Sequence, residues 1–164
     1  MIMAVVDYFL KIDGIDGESA AKGHEKELEL ESWSWGESNS TSGTGTGGHG
    51  AGKVSVQDIH FVTKISAASA KLMLACASGE HIKKAVLTCR KAGKDQQEFM
   101  KVTLSDVLIS SYQTGGSAHG DVVPLDQVSL AFMKIEFEYK PQKADGTLGS
   151  SVKAGWDLPK NTKV

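Results

Sequence analysis

The sequence predicts a mainly β protein: a barrel or sandwich of two sheets with one α-helix and one long loop. Three observations carry this. Apolar and polar residues alternate with period two over most of the 164 residues, in short runs divided by turn signals. A single segment, 67–77, has a helical composition. Glycine is in excess, with 18 residues or about 11 % against a usual ~7 %, and seven of them gather in residues 36–52.

Each element rests on its own pattern. In residues 4–12, Val6, Tyr8, Leu10 and Ile12 share one face, as in a strand with one buried side. Residues 26–35 alternate but change phase. Leu28 and Leu30 share a face with Ser32 and Ser34, whereas Trp33 and Trp35 lie opposite. Either a bulge resets the phase or the strand swaps its buried side. Residues 54–63 form a third strand with a phase change between Val56 and Ile59. Residues 82–91 and 97–104 read as a hairpin around the turn Ala92-Gly93-Lys94-Asp95, and 106–113 as a further strand. In 127–140, Ala131, Met133, Ile135, Phe137 and Tyr139 share one face, opposite Lys134, Glu136, Glu138 and Lys140. A last extended piece, 151–158, comes after the turn at Asp145-Gly146.

The helical segment 67–77 (AASAKLMLACA) has Ser66 to cap its start and Gly79 to end it. It has almost no polar side, so it is expected to be covered on more than one face. The chain offers no second helical layer, which makes a neighbouring subunit the candidate cover.

Composition narrows the function. Lys and Arg number 18 against 20 Asp and Glu, a formal charge of −2 with pI ≈ 6.2. That balance lacks the basic surplus of a nucleic-acid binder. No apolar run approaches the ~20 residues of a membrane span, so no membrane insertion is expected. The run Ile2–Val6 stops at Asp7 and has no basic residue before it, which does not suit a signal peptide. Cys76 and Cys89 then read as free buried thiols of a chain folded in the cytoplasm. His24, His49, His60, His81 and His119 are scattered, with no ligand spacing for a metal. No cofactor is expected.

The loop 36–52 (GESNSTSGTGTGGHGAG) contains two phosphate-binding patterns. Gly45 to Gly50 satisfies G-x-G-x-x-G, and Gly47 to Lys53 satisfies G-x-x-x-x-G-K with Val54 where Ser or Thr belongs. Both patterns need a helix directly after them to face the phosphate, but the next residues, KVSVQDIHFVT, alternate like a strand. A nucleotide enzyme is therefore disfavoured, and a loop that orders against a partner fits better.

Taken together, these segments make the chain resemble the Hcp family, the haemolysin-coregulated proteins of type VI secretion. The residues that carry the resemblance are AVVDYFLKIDGIDGES, LESWSWG with its glycine-rich tail to GAGKVSVQDIHF, and KLMLACASGEHIKKAVLTCRKAG. SSYQTGGS, the FEYKPQKADG turn and KAGWDL continue it. The resemblance implies a two-sheet barrel with one helix and an extended loop. It implies a non-enzymatic subunit of a homohexameric ring, stacked into a tube, assembled in the cytoplasm and then secreted without a signal peptide. It further implies a spike protein at the tip, a contractile sheath outside and effector proteins in the lumen. Four strands per subunit would give a wall of about 24 strands, roughly 48 Å across the backbone, with a lumen of roughly 35–40 Å. The loop composition STSGTGTGGHG departs from the family, and the chain ends soon after KAGWDL, so no C-terminal toxin domain is expected.

On this reading Ser32 and Ser34 are lumen-facing, with Ser34 the better effector contact because its strand neighbours are large and turned away. Glu27, Glu29 and Glu31, the loop residues Gly47, Gly48, His49 and Gly50, and Leu72 and Met73 of the helix are the expected contacts between subunits or rings. The alternative is a monomeric β-barrel module that binds a small molecule.

Overall fold

Ten strands and one helix make up the chain in a computed structural model that describes residues 6–42, 50–92, 96–120 and 123–164. In order they are β1 (Val6–Ile12), β2 (Leu28–Ser34), β3 (Glu37–Ser42), β4 (Gly50–Val56), β5 (Ile59–Lys64) and α1 (Ser69–Ser78). The second half holds β6 (Ile82–Lys91), β7 (Glu98–Gly115), β8 (Leu125–Tyr139), β9 (Val152–Asp157) and β10 (Thr162–Lys163). Six strands close a barrel in the order β8-β5-β2-β1-β6-β7, with β7 returning to β8. Every pairing is antiparallel. Strand β9 extends the sheet from the second half of β8, and β10 adds two residues to β9. Strands β3 and β4 form a separate two-stranded ribbon.

The alternating apolar residues fill the barrel. Leu10, Phe61, Leu104, Val128 and Leu130 from the strands meet Leu72 and Ala75 from the helix. Each large side chain removed from water contributes about 1.5–3 kcal/mol, which sets the register of each strand.

The two phase changes have different causes. In β2 the register against β5 shifts between Leu30 and Ser32, so Glu31 is the extra residue of a bulge. Leu28 and Leu30 before it, and Trp33 and Trp35 after it, therefore all pack against one core. Residues 54–63 are not one strand. They break at Gln57-Asp58, where β4 leaves the ribbon and β5 enters the barrel.

Four further expectations change. The two runs 97–104 and 106–113 are one strand, β7, which turns through Asp106 at a left-handed φ of 54°. On β8 the buried side swaps midway: Val128, Leu130 and Phe132 face the core, then Ile135 does. Within the stretch 36–52, residues 37–42 and 50–52 are arms of a β-ribbon rather than parts of a loop. Its arms approach closely enough that a Cβ on Gly52 would lie 2.3 Å from the Ser40 carbonyl oxygen. Phe9, on the far side of β1, is also buried, because residues 13–27 fold back over it. The His24 ring stacks on Phe9 at 4.4 Å, and the Arg90 guanidinium lies 4.7 Å from the same ring.

The helix starts two residues later than its composition suggests. Ser66 does not cap it directly. Its hydroxyl accepts from the Ala68 N–H at 3.2 Å, and the Ser69 hydroxyl accepts from the Ser66 N–H at 3.0 Å. Gly79 ends the helix at φ 66°, as expected, donating its N–H to the Ala75 carbonyl.

Candidate functional site

A continuous polar surface runs over the outer face of four adjacent strands, β2-β5-β8-β7. Register aligns their side chains in rows. Ser34 of β2 is opposite His60 of β5, which is opposite Ser129 of β8, which is opposite Ser111 of β7. One step along, Ser32, Val62, Gln127 and Gln113 align in the same way. Neither row holds a carboxylate, an ammonium or a guanidinium. His60 Nδ1 lies 3.2 Å from the Ser129 hydroxyl, and the Ser110 hydroxyl donates to Asp58 at 2.6 Å beside the rows. A bulge between Ile109 and Ser111 turns Ile109 and Tyr112 inward while Ser111 and Gln113 point outward.

This four-stranded sheet has two open sides. Among the described residues β1 pairs with β2 only at Leu28 and Glu29, and no described strand covers the outer edge of β2 from Leu30 to Ser34. Strand β6 stops pairing with β7 at Val107, and among the described residues no strand covers the other edge of β7 from Leu108 to Gly115. The wall is tied to the helix by Asp126, which is fully buried on β8. The Ser69 hydroxyl donates to its Oδ2 at 2.5 Å and the Tyr112 hydroxyl to its Oδ1 at 3.0 Å. Burial first, and then the Asp126 carboxylate, raise the pKa of the Tyr112 phenol.

The expected site residues fall into distinct places. Ser32 and Ser34 are exposed on this face, with the half-buried Trp33 turned the other way. Glu29 lies on the paired part of β2 opposite Phe9, whereas Glu31 lies at its open edge and, exposed, pairs with Lys64 at 3.6 Å. Glu27 is buried against His24 at 2.9 Å, while the other ring nitrogen of His24 meets Glu98 at 2.6 Å. Gly50 opens β4 opposite Ser42. Gly47, Gly48 and His49 lie outside the described residues. Leu72 is fully buried in its own barrel and offers nothing to a neighbour. Met73 and Leu74 are instead the outward apolar side chains of the helix, 51 % and 62 % exposed.

Sequence reasoning missed His60, Ser111, Gln113, Gln127 and Ser129. Small polar residues at alternate positions were a signal on each strand, but only the register shows that the strands align them. It also missed a cleft of about 620 Å³ between the ribbon and the β8–β9 face, lined by Trp35, Glu37, Phe137 and Trp156 among others. Among the described residues no group of three His, Cys, Asp or Glu could hold a metal, and no helix is long and apolar enough to cross a membrane.

Comparison with known proteins places these features. Residues 9–139 match the family model described as type VI secretion system effector, Hcp. Protein hcp1 of Pseudomonas aeruginosa is 48 % identical over 161 residues, covering 97 % of this chain and 99 % of the relative. The crystal structure of Hcp1 from Salmonella typhimurium superposes with a TM-score of 0.81 at 35 % identity, over 98 % of this chain and 100 % of that one. A structure described as a type six secretion system protein reaches 0.92 at 29 % identity, over 96 % and 99 %. The match spans the barrel, the helix and the ribbon alike, and the chain belongs to the Hcp family of type VI secretion proteins.

Proposed function

We propose that this chain is a non-enzymatic building block of a type VI secretion tube. Six copies form a ring, rings stack into the tube, and the tube is exported with effector proteins held in its lumen. One observation carries the reading: the sheet β2-β5-β8-β7 has rows without carboxylate, lysine or arginine on its outer face and, among the described residues, an open strand edge on each side. Strand direction alternates across it, so β2 of one copy and β7 of the next meet antiparallel, and the sheet continues from subunit to subunit. Ring closure then covers edges that would otherwise template aggregation. The face of Ser34, His60, Ser129 and Ser111 becomes the lumen wall. Lacking carboxylates, lysines, arginines and large apolar groups, this row can touch a folded effector at many weak points without trapping it. The spike protein at the tip and a contractile sheath outside complete the assembly that the family implies.

Light scattering and negative-stain microscopy test the class, since six-fold rings are expected and a clean monomer at high concentration would sink it. In that case the cleft under the ribbon would favour the small-molecule module instead. Ser34 tests the lumen assignment. Ser34→Trp should leave the ring mass unchanged and reduce co-purification of effector about tenfold or more, by filling the contact face. Unchanged effector recovery with well-formed rings would remove Ser34 from the cargo surface.

A further inference from the structure

We propose that the cleft beside the ribbon receives the outer face of α1 from a second copy of this chain, and that this contact joins one ring to the next. It rests on the tube reading above and adds the two surfaces that meet. The cleft, about 620 Å³, lies in the size range of built binding sites, so it is more than a packing defect. Its lining is mainly apolar, Phe137 in it is 39 % exposed, and the buried Trp156 Nε1 has no hydrogen-bond partner among the described residues. Among the described residues, Glu37 is the only charged side chain that lines it.

The helix offers the complement. Met73 and Leu74 are exposed, and Lys71 stands three residues from Leu74 on the same surface. Lys71 is the only charged residue in α1 and has no ion-pair partner among the described residues. A cation beside two apolar side chains matches an apolar cleft with one carboxylate at its wall.

Position decides which copies meet. The helix joins the end of β5 to the start of β6, at one end of the barrel. The ribbon leaves from the end of β2 and returns at the start of β5, and β9 lies along the second half of β8, all at the other end. The two surfaces therefore cannot meet within one chain. A contact between two different patches at opposite ends repeats head to tail and does not close, which is the geometry of stacking. Lateral closure of the ring uses the strand edges instead.

Cross-linking of preformed rings tests this. Rings of Glu37→Cys and rings of Lys71→Cys, both also carrying Cys76→Ser, are prepared separately, mixed and oxidised. A disulfide-linked dimer is expected in the mixture at about tenfold or more over either ring type alone, because the contact joins unlike surfaces. A mixture that cross-links no more than its components overturns the proposal. So does a cross-link that appears only when both variants are co-expressed into the same ring, since that places the contact within rings. Leu74→Asp, at an exposed position, is expected to keep the six-subunit mass and raise the concentration needed for stacking about tenfold. Unaltered stacking by that variant also overturns the proposal. Parent protein that never reaches six-subunit mass sinks the tube reading itself, which separates the two failures.

Discussion

At the scale of single residues, the most consequential buried group is Asp126. Removing a carboxylate from water is expensive, and here it is compensated by two hydroxyl donors, one from the helix and one from β7. It thereby fixes where α1 sits on the wall. Asp126→Ala leaves both hydroxyls without their acceptor and is expected to cost about 2–4 kcal/mol in urea unfolding. Asp126→Asn keeps one acceptor and should cost less. Equal losses for the two would show that the pocket tolerates no substitution and that the hydroxyls are not the cause. Cys89 makes a pH-dependent statement. Burial pushes its thiol from 9.0 up to about 12. The thiol form is thus favoured by the fold, and its contribution is complete below about pH 9. Above that pH the unfolded chain ionises while the folded one does not, so stability falls as pH rises towards 12, by about 1.4 kcal/mol per unit. Cys89→Ala should flatten the decline in urea midpoint between pH 8 and pH 10.5. An unchanged slope would assign the decline to other groups.

At the scale of elements, the ribbon behaves as an attachment to the barrel. Its base is closed by the Trp35 indole N–H donating to the Gln57 carbonyl at 2.9 Å and the Gln57 N–H donating to the Gly36 carbonyl at 3.0 Å. Beyond that base, among the described residues, its strands pair only with each other. Deleting residues 40–50 should therefore change barrel stability by no more than a surface substitution does, about 0.5 kcal/mol, while stacking is lost. Loss of the cooperative melting transition would show that the ribbon belongs to the folding unit. The same element marks how far the sequence could be read. Period-two alternation located nearly every barrel strand, because each has one face in a dry core. Gly79 located the helix end through its left-handed φ. The ribbon escaped, because Ser, Thr and Gly leave no apolar alternation. The join of β7 also escaped, since a left-handed Asp106 inside a strand looks like a turn in the sequence. The phase changes at Leu30–Ser32 and Val56–Ile59 were visible as signals, but a bulge and a change of sheet produce the same pattern. Leu72 and Met73 are adjacent in a helix with no polar side, and composition alone could not say which of them faces inward.

At the scale of the whole molecule, the open edges of β2 and β7 turn a closed six-stranded barrel into a unit that can still propagate a sheet. Among the described residues of the monomer, amides on the Leu30–Ser34 edge and on Leu108–Gly115 that point away from β5 and β8 have no strand to pair with. If the wall is continuous, those amides become the hydrogen bonds between neighbours. Hydrogen exchange reads this directly. Ring preparations are expected to protect peptides covering 31–34 and 108–115 more strongly than the same protein held as monomer by dilution. Peptides from β1 and β6, whose strands are paired along the barrel in either state, should change little. The pattern separates two ways of building a ring. Packing through side chains alone would leave the edge amides exchanging at monomer rates while the ring stays intact, and the lumen would then not be a single sheet. A continuous wall of about 24 strands also fixes the opening at roughly 35–40 Å, because strand number, tilt and spacing together set the circumference. Edge protection together with a hole of that width would tie the row of Ser34, His60, Ser129 and Ser111 to the inner surface.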